Sequence, residues 1–252
     1  MNNVGSALLL TTLAGFATSI GSLLGVFIKK PGPKFMSLTL GFSAGVMLLV
    51  SFVELLAGSI QTIGFFAAHV AFFSGIVGIL LIDFLIPHEY IGQKELAGKD
   101  PNQKLLRTGL LVAVGIGIHN FPEGMATFAA ALQDLKLGSA VAIAIAIHNI
   151  PEGLAVSAPV YAATGSRGKA FFWSFLSGAA EPVGAGIAGL FLLPFLSSGL
   201  LGGLLAIVAG IMVFISLDEL VPASRAFGEE HLAILGVLFG MVIMAFSLWL
   251  FK

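Results

Sequence analysis

Two six-residue units hold most of the chemistry this chain has to offer: His119-Asn120-Phe121-Pro122-Glu123-Gly124 and His148-Asn149-Ile150-Pro151-Glu152-Gly153. Each lies near the middle of an apolar stretch, 110–133 and 139–163, where a lipid-embedded helix least tolerates an ionisable group. One such group at the bilayer centre costs about 2.5–3.5 kcal/mol on insertion scales, so these histidines and glutamates must gain from one another or from a ligand. On a helix, positions i and i+4 share a face, so His119 projects with Glu123 and His148 with Glu152, while Asn120 and Asn149 widen that face. Imidazole nitrogen, carboxylate oxygen and amide oxygen together suit borderline first-row divalent ions such as Zn2+, Fe2+, Mn2+ and Co2+. Two facing glutamates could bridge two such ions, one nearer the histidines and one nearer the asparagines. Glu181, in Ala180-Glu181-Pro182, adds a further carboxylate near the middle of a later apolar stretch, and Met47 and Met212 also fall near mid-membrane.

The plainer reading of the twin units is a neutral, hydrogen-bonded cluster that glues helices together. Duplication and four ionisable groups argue against it. Met212 reads as core filler, since methionine packs irregular gaps more often than it binds. Glu54, Asp218 and Glu219 lie towards the ends of apolar stretches, where interfacial and functional roles are equally open; Asp83 reads as interfacial, and His69, His88 and His231 as ordinary.

The elements that must position these groups are membrane spans. Hydrophobic residues make up 58% of the 252 positions and charged residues 10%, against about 25% charged in a soluble domain. With about 20 apolar residues per span, the chain reads as one polytopic domain, 1–252, with spans at about 4–28, 36–59, 63–86, 106–132, 138–163, 170–195, 199–222 and 232–251. The fold class expected is therefore an all-α membrane protein of eight transmembrane helices. Met1-Asn2-Asn3-Val4 lacks a basic leader region, so the first stretch reads as a retained span. Pro122 and Pro151 each remove a helical hydrogen bond, leave the carbonyls of Ile118 and Ile147 without their usual donor, and are expected to bend their helices.

Alternating spans put Lys29, Lys30, Lys34, Lys94, Lys99, Lys104, Arg107, Arg167, Lys169 and Arg225 on one side, with Lys136 and Lys252 opposite. The positive-inside rule then places both termini outside the cytoplasm. The net charge of −1 gives no sign of a nucleic-acid partner. There is no cysteine, hence no thiolate site for a soft ion such as Cu+. No phosphate-binding loop of the GxxxxGK[ST] type is present, which excludes ATP hydrolysis by that route, and no prosthetic group is called for.

An internal repeat appears at an offset of 165 positions. Ala44-Gly45-x-Met47-x-x-x-Ser51-x-x-Glu54-Leu55 matches Ala209-Gly210-x-Met212-x-x-x-Ser216-x-x-Glu219-Leu220. Five spans separate the copies, so they cross the membrane in opposite directions, as in an inverted-topology repeat of spans 1–3 against 6–8. The first and sixth spans agree weakly, through Ala17/Ala180 and Gly21/Gly184. Spans 4 and 5, with the twin units, form a central antiparallel pair.

HNFPEG followed by HNIPEG in consecutive spans of an eight-span protein resembles the ZIP (Zrt-, Irt-like protein) family of divalent-metal transporters. GFSAGVMLLVSFVELL, HNIPEGLAVSAPVYAATGS and SLDELVP resemble its bacterial ZupT branch. The resemblance covers nearly the whole chain. It implies uptake of zinc, with iron, manganese, cobalt or cadmium, across the bacterial inner membrane into the cytoplasm, the ions being substrate rather than cofactor. It implies a first metal held by His119, Glu123, His148 and Glu152 with Met47 close by, and a second held by Asn120, Glu123, Asn149, Glu152 and Glu181. It further implies a homodimer and an elevator-like motion of spans 1, 4, 5 and 6 against 2, 3, 7 and 8. Many relatives have a histidine-rich loop where 87–105 here offers only His88 and Glu89. The alternative is a membrane-embedded metalloenzyme, but zinc proteases use H-E-x-x-H and di-iron bundles Glu-x-x-His, whereas the order here is His-x-x-x-Glu with proline inside.

Overall fold

A computed structural model describes residues 3–27, 32–85, 101–192, 195 and 197–251. Residues 87–100 of the 87–105 loop, with His88 and Glu89, lie outside the described residues, as do Lys29, Lys30 and the side chains of Asp83 and Glu219. Among the described residues the chain is helix and turn throughout, without a strand. The helices are α1 (Val4–Phe27), α2 (Pro33–Ile63), α3 (Phe65–Leu85), α4 (Pro101–Gln133), α5 (Leu135–Thr164), α6 (Arg167–Gly178), α7 (Ala180–Ile187), α8 (Ser198–Arg225) and α9 (Glu230–Phe251). Of these, α1, α2, α5, α8 and α9 are long and apolar enough to cross a membrane by length and composition alone. The protein is an all-α membrane protein.

Local chemistry sets where the helices start and stop. Gly64, at φ 82°, separates α2 from α3, a backbone region glycine enters without Cβ strain. Asp134 caps α5 by accepting from the backbone N–H groups of Lys136 at 2.6 Å and Leu137 at 3.0 Å. Gly165, at φ 64°, closes the same helix, its N–H donating to the Tyr161 carbonyl. Both α4 and α5 run unbroken through their internal prolines, Pro122 in the first and Pro151 and Pro159 in the second. Between α6 and α7 the helix is interrupted at Ala179. Pro182 has no N–H to offer the Gly178 carbonyl four residues back, and the ladder resumes with the Val183 N–H donating to the Ala179 carbonyl at 3.3 Å.

Two sets of helices pack separately. In one, α1 lies on α5, α4 on α5, and α7 on α4; in the other, α2 lies on α9 and α3 on α8. They meet where α2 and, at fewer points, α9 touch α5, and where α8 touches α4. The pairings repeat with inverted sense, and glycines mark equivalent points. A Cβ on Gly21 of α1 would overlap the Ile150 carbonyl of α5, and one on Gly184 of α7 would overlap the Phe121 carbonyl of α4. Likewise Gly45 of α2 sits against the Val237 carbonyl of α9, and Gly210 of α8 against the Phe72 carbonyl of α3. Small residues let backbones approach in lipid, where dispersion and not the hydrophobic effect holds helices together. The weak sequence match of the first and sixth spans is thus a real structural equivalence.

The equivalence extends to a local irregularity. Both α2 and α8 contain a π-helical turn, at Ser51–Leu56 and Ser216–Leu220. In each, the leading serine hydroxyl donates to a methionine carbonyl one turn back, Ser51 to Met47 and Ser216 to Met212, both at 2.7 Å. Such back-bonding competes with the regular helical ladder and favours a local bulge.

Candidate metal centre

The twin units meet where α4 and α5 cross. Their terminal glycines seat each helix on an outer neighbour: a Cβ on Gly124 would overlap the Glu181 carbonyl of α7, and one on Gly153 would overlap the Thr18 carbonyl of α1. Each proline thus lies two residues before a glycine that seats its helix on a neighbour. The result is that His119, Asn120, Glu123, His148, Asn149, Glu152 and Glu181 are all buried, the histidines and carboxylates at 1% exposure or less. At that exposure water cannot solvate the charges, so protein or ion partners must.

The pairing crosses between helices. His119 Nε2 lies 3.2 Å from Glu152 Oε2 and 3.3 Å from Oε1. His148 Nε2 lies 3.3 Å from Glu123 Oε1 and 3.5 Å from Oε2. His119 and Glu123 share a helix face, as their spacing requires, but each histidine pairs with the glutamate of the other helix. The Nδ1–H of His148 donates to the Ala144 carbonyl at 3.1 Å, which fixes the ring and turns Nε2 to the carboxylate. A histidine held in this way presents one defined nitrogen to a metal. Among the described residues no three of these acidic and imidazole side chains converge closely enough to hold an ion as they stand. They are drawn up as two His–Glu pairs.

Beside the pairs lies an oxygen-rich flank. Asn120 Nδ2 donates to the Ser177 carbonyl at 3.1 Å, and Asn149 Nδ2 to the Ala14 carbonyl at 3.0 Å. These are equivalent contacts in the two halves of the repeat. Asn149 Nδ2 also donates to Glu181 Oε1. With both amide nitrogens committed, the oxygens Oδ1 of Asn120, Oδ1 of Asn149 and Oε2 of Glu181 are buried without a hydrogen-bond partner. Buried acceptors left unsatisfied are costly, and hard oxygen donors of this kind suit a divalent cation.

Met47 is fully buried on α2, within the main apolar cluster. One turn earlier on the same face, Ser43 Oγ donates to Glu152 Oε1 at 3.4 Å and lies 3.5 Å from the His148 carbonyl oxygen. Its position relative to Ser43 puts Met47 on the side of α2 that meets the centre. Met212 is buried in the same cluster from α8. Residue type gives no hint of Ser43, because a lone serine in an apolar stretch carries no signal until its neighbour is known. Glu54 and Asp218 lie on the π-helical turns, away from the twin units in sequence.

Comparison with known proteins places this geometry in context. The family model described as ZIP Zinc transporter matches residues 87–248. A zinc transporter ZupT of Streptococcus mutans is 51% identical over 258 residues, covering 98% of this chain and 97% of the relative. One of Chlorobium phaeovibrioides is 54% identical over 265 residues, covering 99% of each. A third, of Clostridium perfringens, is 48% identical over 278 residues, covering all of this chain and 98% of its own.

Proposed function

The chain belongs to the ZIP zinc-transporter family, and on that premise we propose that it carries zinc across the membrane through the buried His/Glu cluster of α4 and α5. Membership of a transporter family sets aside the embedded metalloenzyme. The observation that carries the reading is the crossed pairing of His119 with Glu152 and His148 with Glu123. Two imidazoles and two carboxylates, buried together and balanced by protons, exchange those protons for a divalent ion with little change of net charge.

The same chemistry supports a binuclear centre. One ion takes the nitrogens of His119 and His148 with Glu123 and Glu152, with Met47 near. A second takes the free oxygens of Asn120, Asn149 and Glu181, the two glutamates bridging. Iron, manganese, cobalt and cadmium suit the same donor types. The separate packing of the two helix sets supports an elevator-type motion of α1, α4, α5, α6 and α7 against α2, α3, α8 and α9, and inverted repeats commonly build two alternating states. The distribution of lysine and arginine supports import into the cytoplasm, with both termini outside and the protein multi-pass in the bacterial inner membrane. A homodimer completes the reading, two copies of a single 1–252 membrane domain.

The test is flux. Purified protein in liposomes loaded with a zinc-sensitive dye should accumulate zinc, and Glu123→Ala or Glu152→Ala should abolish the signal. Wild-type flux in either variant would remove the cluster from the pathway.

A further inference from the structure

Ser43 connects the two helix sets at the centre itself. It is a fully buried hydroxyl on α2, the helix that contributes no His, Glu or Asn to the paired cluster. Its Oγ reaches Glu152 Oε1 at 3.4 Å, and the same oxygen is 3.3 Å from His119 Nε2. Glu152 is therefore held between an imidazole of α4 and a hydroxyl of α2, each occupying a direction in which the carboxylate could bind a metal. A carboxylate oxygen has two lone pairs, and a donor bonded to one competes with any cation for it.

The repeat supplies its own control. The equivalent of Ser43 at the offset of 165 positions is Val208 of α8, also buried and without a hydroxyl. Glu152 and Glu123 have matching histidine partners, and Asn149 and Asn120 donate to matching carbonyls. The α2 hydroxyl is given to one carboxylate and denied to its counterpart. The contacts of α2 with α5 and of α4 with α8 between the helix sets thus differ chemically at the centre although they are related by the repeat.

We propose that Ser43 is a positioning residue that ties Glu152 to α2 in competition with the metal, so that loading the centre releases α5 from α2. The proposal rests on Glu152 being a metal ligand. It assigns Ser43 a role opposite to that of a ligand: its hydroxyl weakens metal binding and couples occupancy of the centre to the contact between the two helix sets.

The test compares Ser43→Val with Ser43→Thr, a pair of nearly equal shape that differs by the hydroxyl. Zinc binding to the detergent-purified full chain is measured by isothermal titration calorimetry, with Glu152→Gln alongside. The valine variant should bind zinc about three- to tenfold more tightly than the threonine variant, the range set by one net hydrogen bond. In liposomes its KM for zinc should be lower in the same proportion. Equal affinities would overturn the proposal, and weaker binding by the valine variant would make Ser43 a ligand instead. If the valine variant does not fold, Ser43→Ala is compared with Ser43→Thr by the same criterion. Wild-type zinc binding by Glu152→Gln would sink the ligand assignment itself. Loss of binding there, with equal affinities in the serine variants, would sink only the role of Ser43.

Discussion

Glu181 and Thr18 occupy equivalent positions in the two halves of the repeat: the carbonyl of Glu181 lies against Gly124, and that of Thr18 against Gly153. One half thus brings a carboxylate to the edge of the centre where the other brings a hydroxyl. The oxygen-rich flank is consequently one-sided: Asn149 has Glu181 as a partner, and Thr18, the repeat equivalent of Glu181, has no carboxylate to offer. Here, as at Ser43 and Val208, a two-fold arrangement of backbones has been given a chemical direction by its side chains.

The ranking of the carboxylates follows from that placement. Glu123 and Glu152 each face a histidine across the helix pair, whereas Glu181 meets an asparagine. Glu123→Ala or Glu152→Ala should abolish zinc flux in liposomes, and Glu181→Ala should reduce it or shift the preference among zinc, manganese and cobalt. A dead Glu181→Ala beside a fully active Glu123→Ala would reverse the assignment of the bridge.

Proton release should accompany metal binding. The ion needs both imidazoles neutral at Nε2 and both carboxylates ionised, so the protons shared in the pairs must leave. Lowering the pH refills those positions, and apparent zinc affinity should fall as pH drops from about 7 to about 5, the interval in which histidine ordinarily gains its proton. Calorimetry in buffers of different ionisation enthalpy counts the protons. A flat affinity with no protons released would mean these side chains are not the ligands.

Gly124 and Gly153 leave no room for a Cβ against the carbonyls they meet. Gly124→Ala or Gly153→Ala should cost about 1–3 kcal/mol, the usual penalty for forcing extra volume into a packed site. The loss should appear as a lower melting temperature in detergent. An unchanged melt would show that the helices separate easily at this point.

Orientation can be read from a background without cysteine. A cysteine placed at Asn3 and another in the 93–103 segment should be labelled from opposite faces of intact cells by an impermeant reagent. Equal labelling of both would contradict import through a chain with both termini outside.

Much of the centre was legible in the sequence because insertion energetics expose it: ionisable groups in the middle of apolar stretches stand out whatever the fold, and the repetition of His-Asn-x-Pro-Glu-Gly doubles the signal. The repeat of α2 and α8 was legible too, since Met47, Ser51 and Glu54 recur as Met212, Ser216 and Glu219. The equivalence of α1 with α7 was nearly hidden, because what the halves share there is backbone contact. Gly21 and Gly184 meet carbonyls of α5 and α4, and carbonyls are present at every residue, so little side-chain identity is required. Helical spacing placed His119 and Glu123 on one face but could not pair them. Only the crossing of two antiparallel helices sets His119 beside Glu152 and His148 beside Glu123. The contact of α2 with α5 turned Ser43, one polar atom in an apolar helix, into a partner of Glu152. Residue type and period determine what chemistry a membrane helix carries; which groups meet depends on how closely its backbone can approach the next.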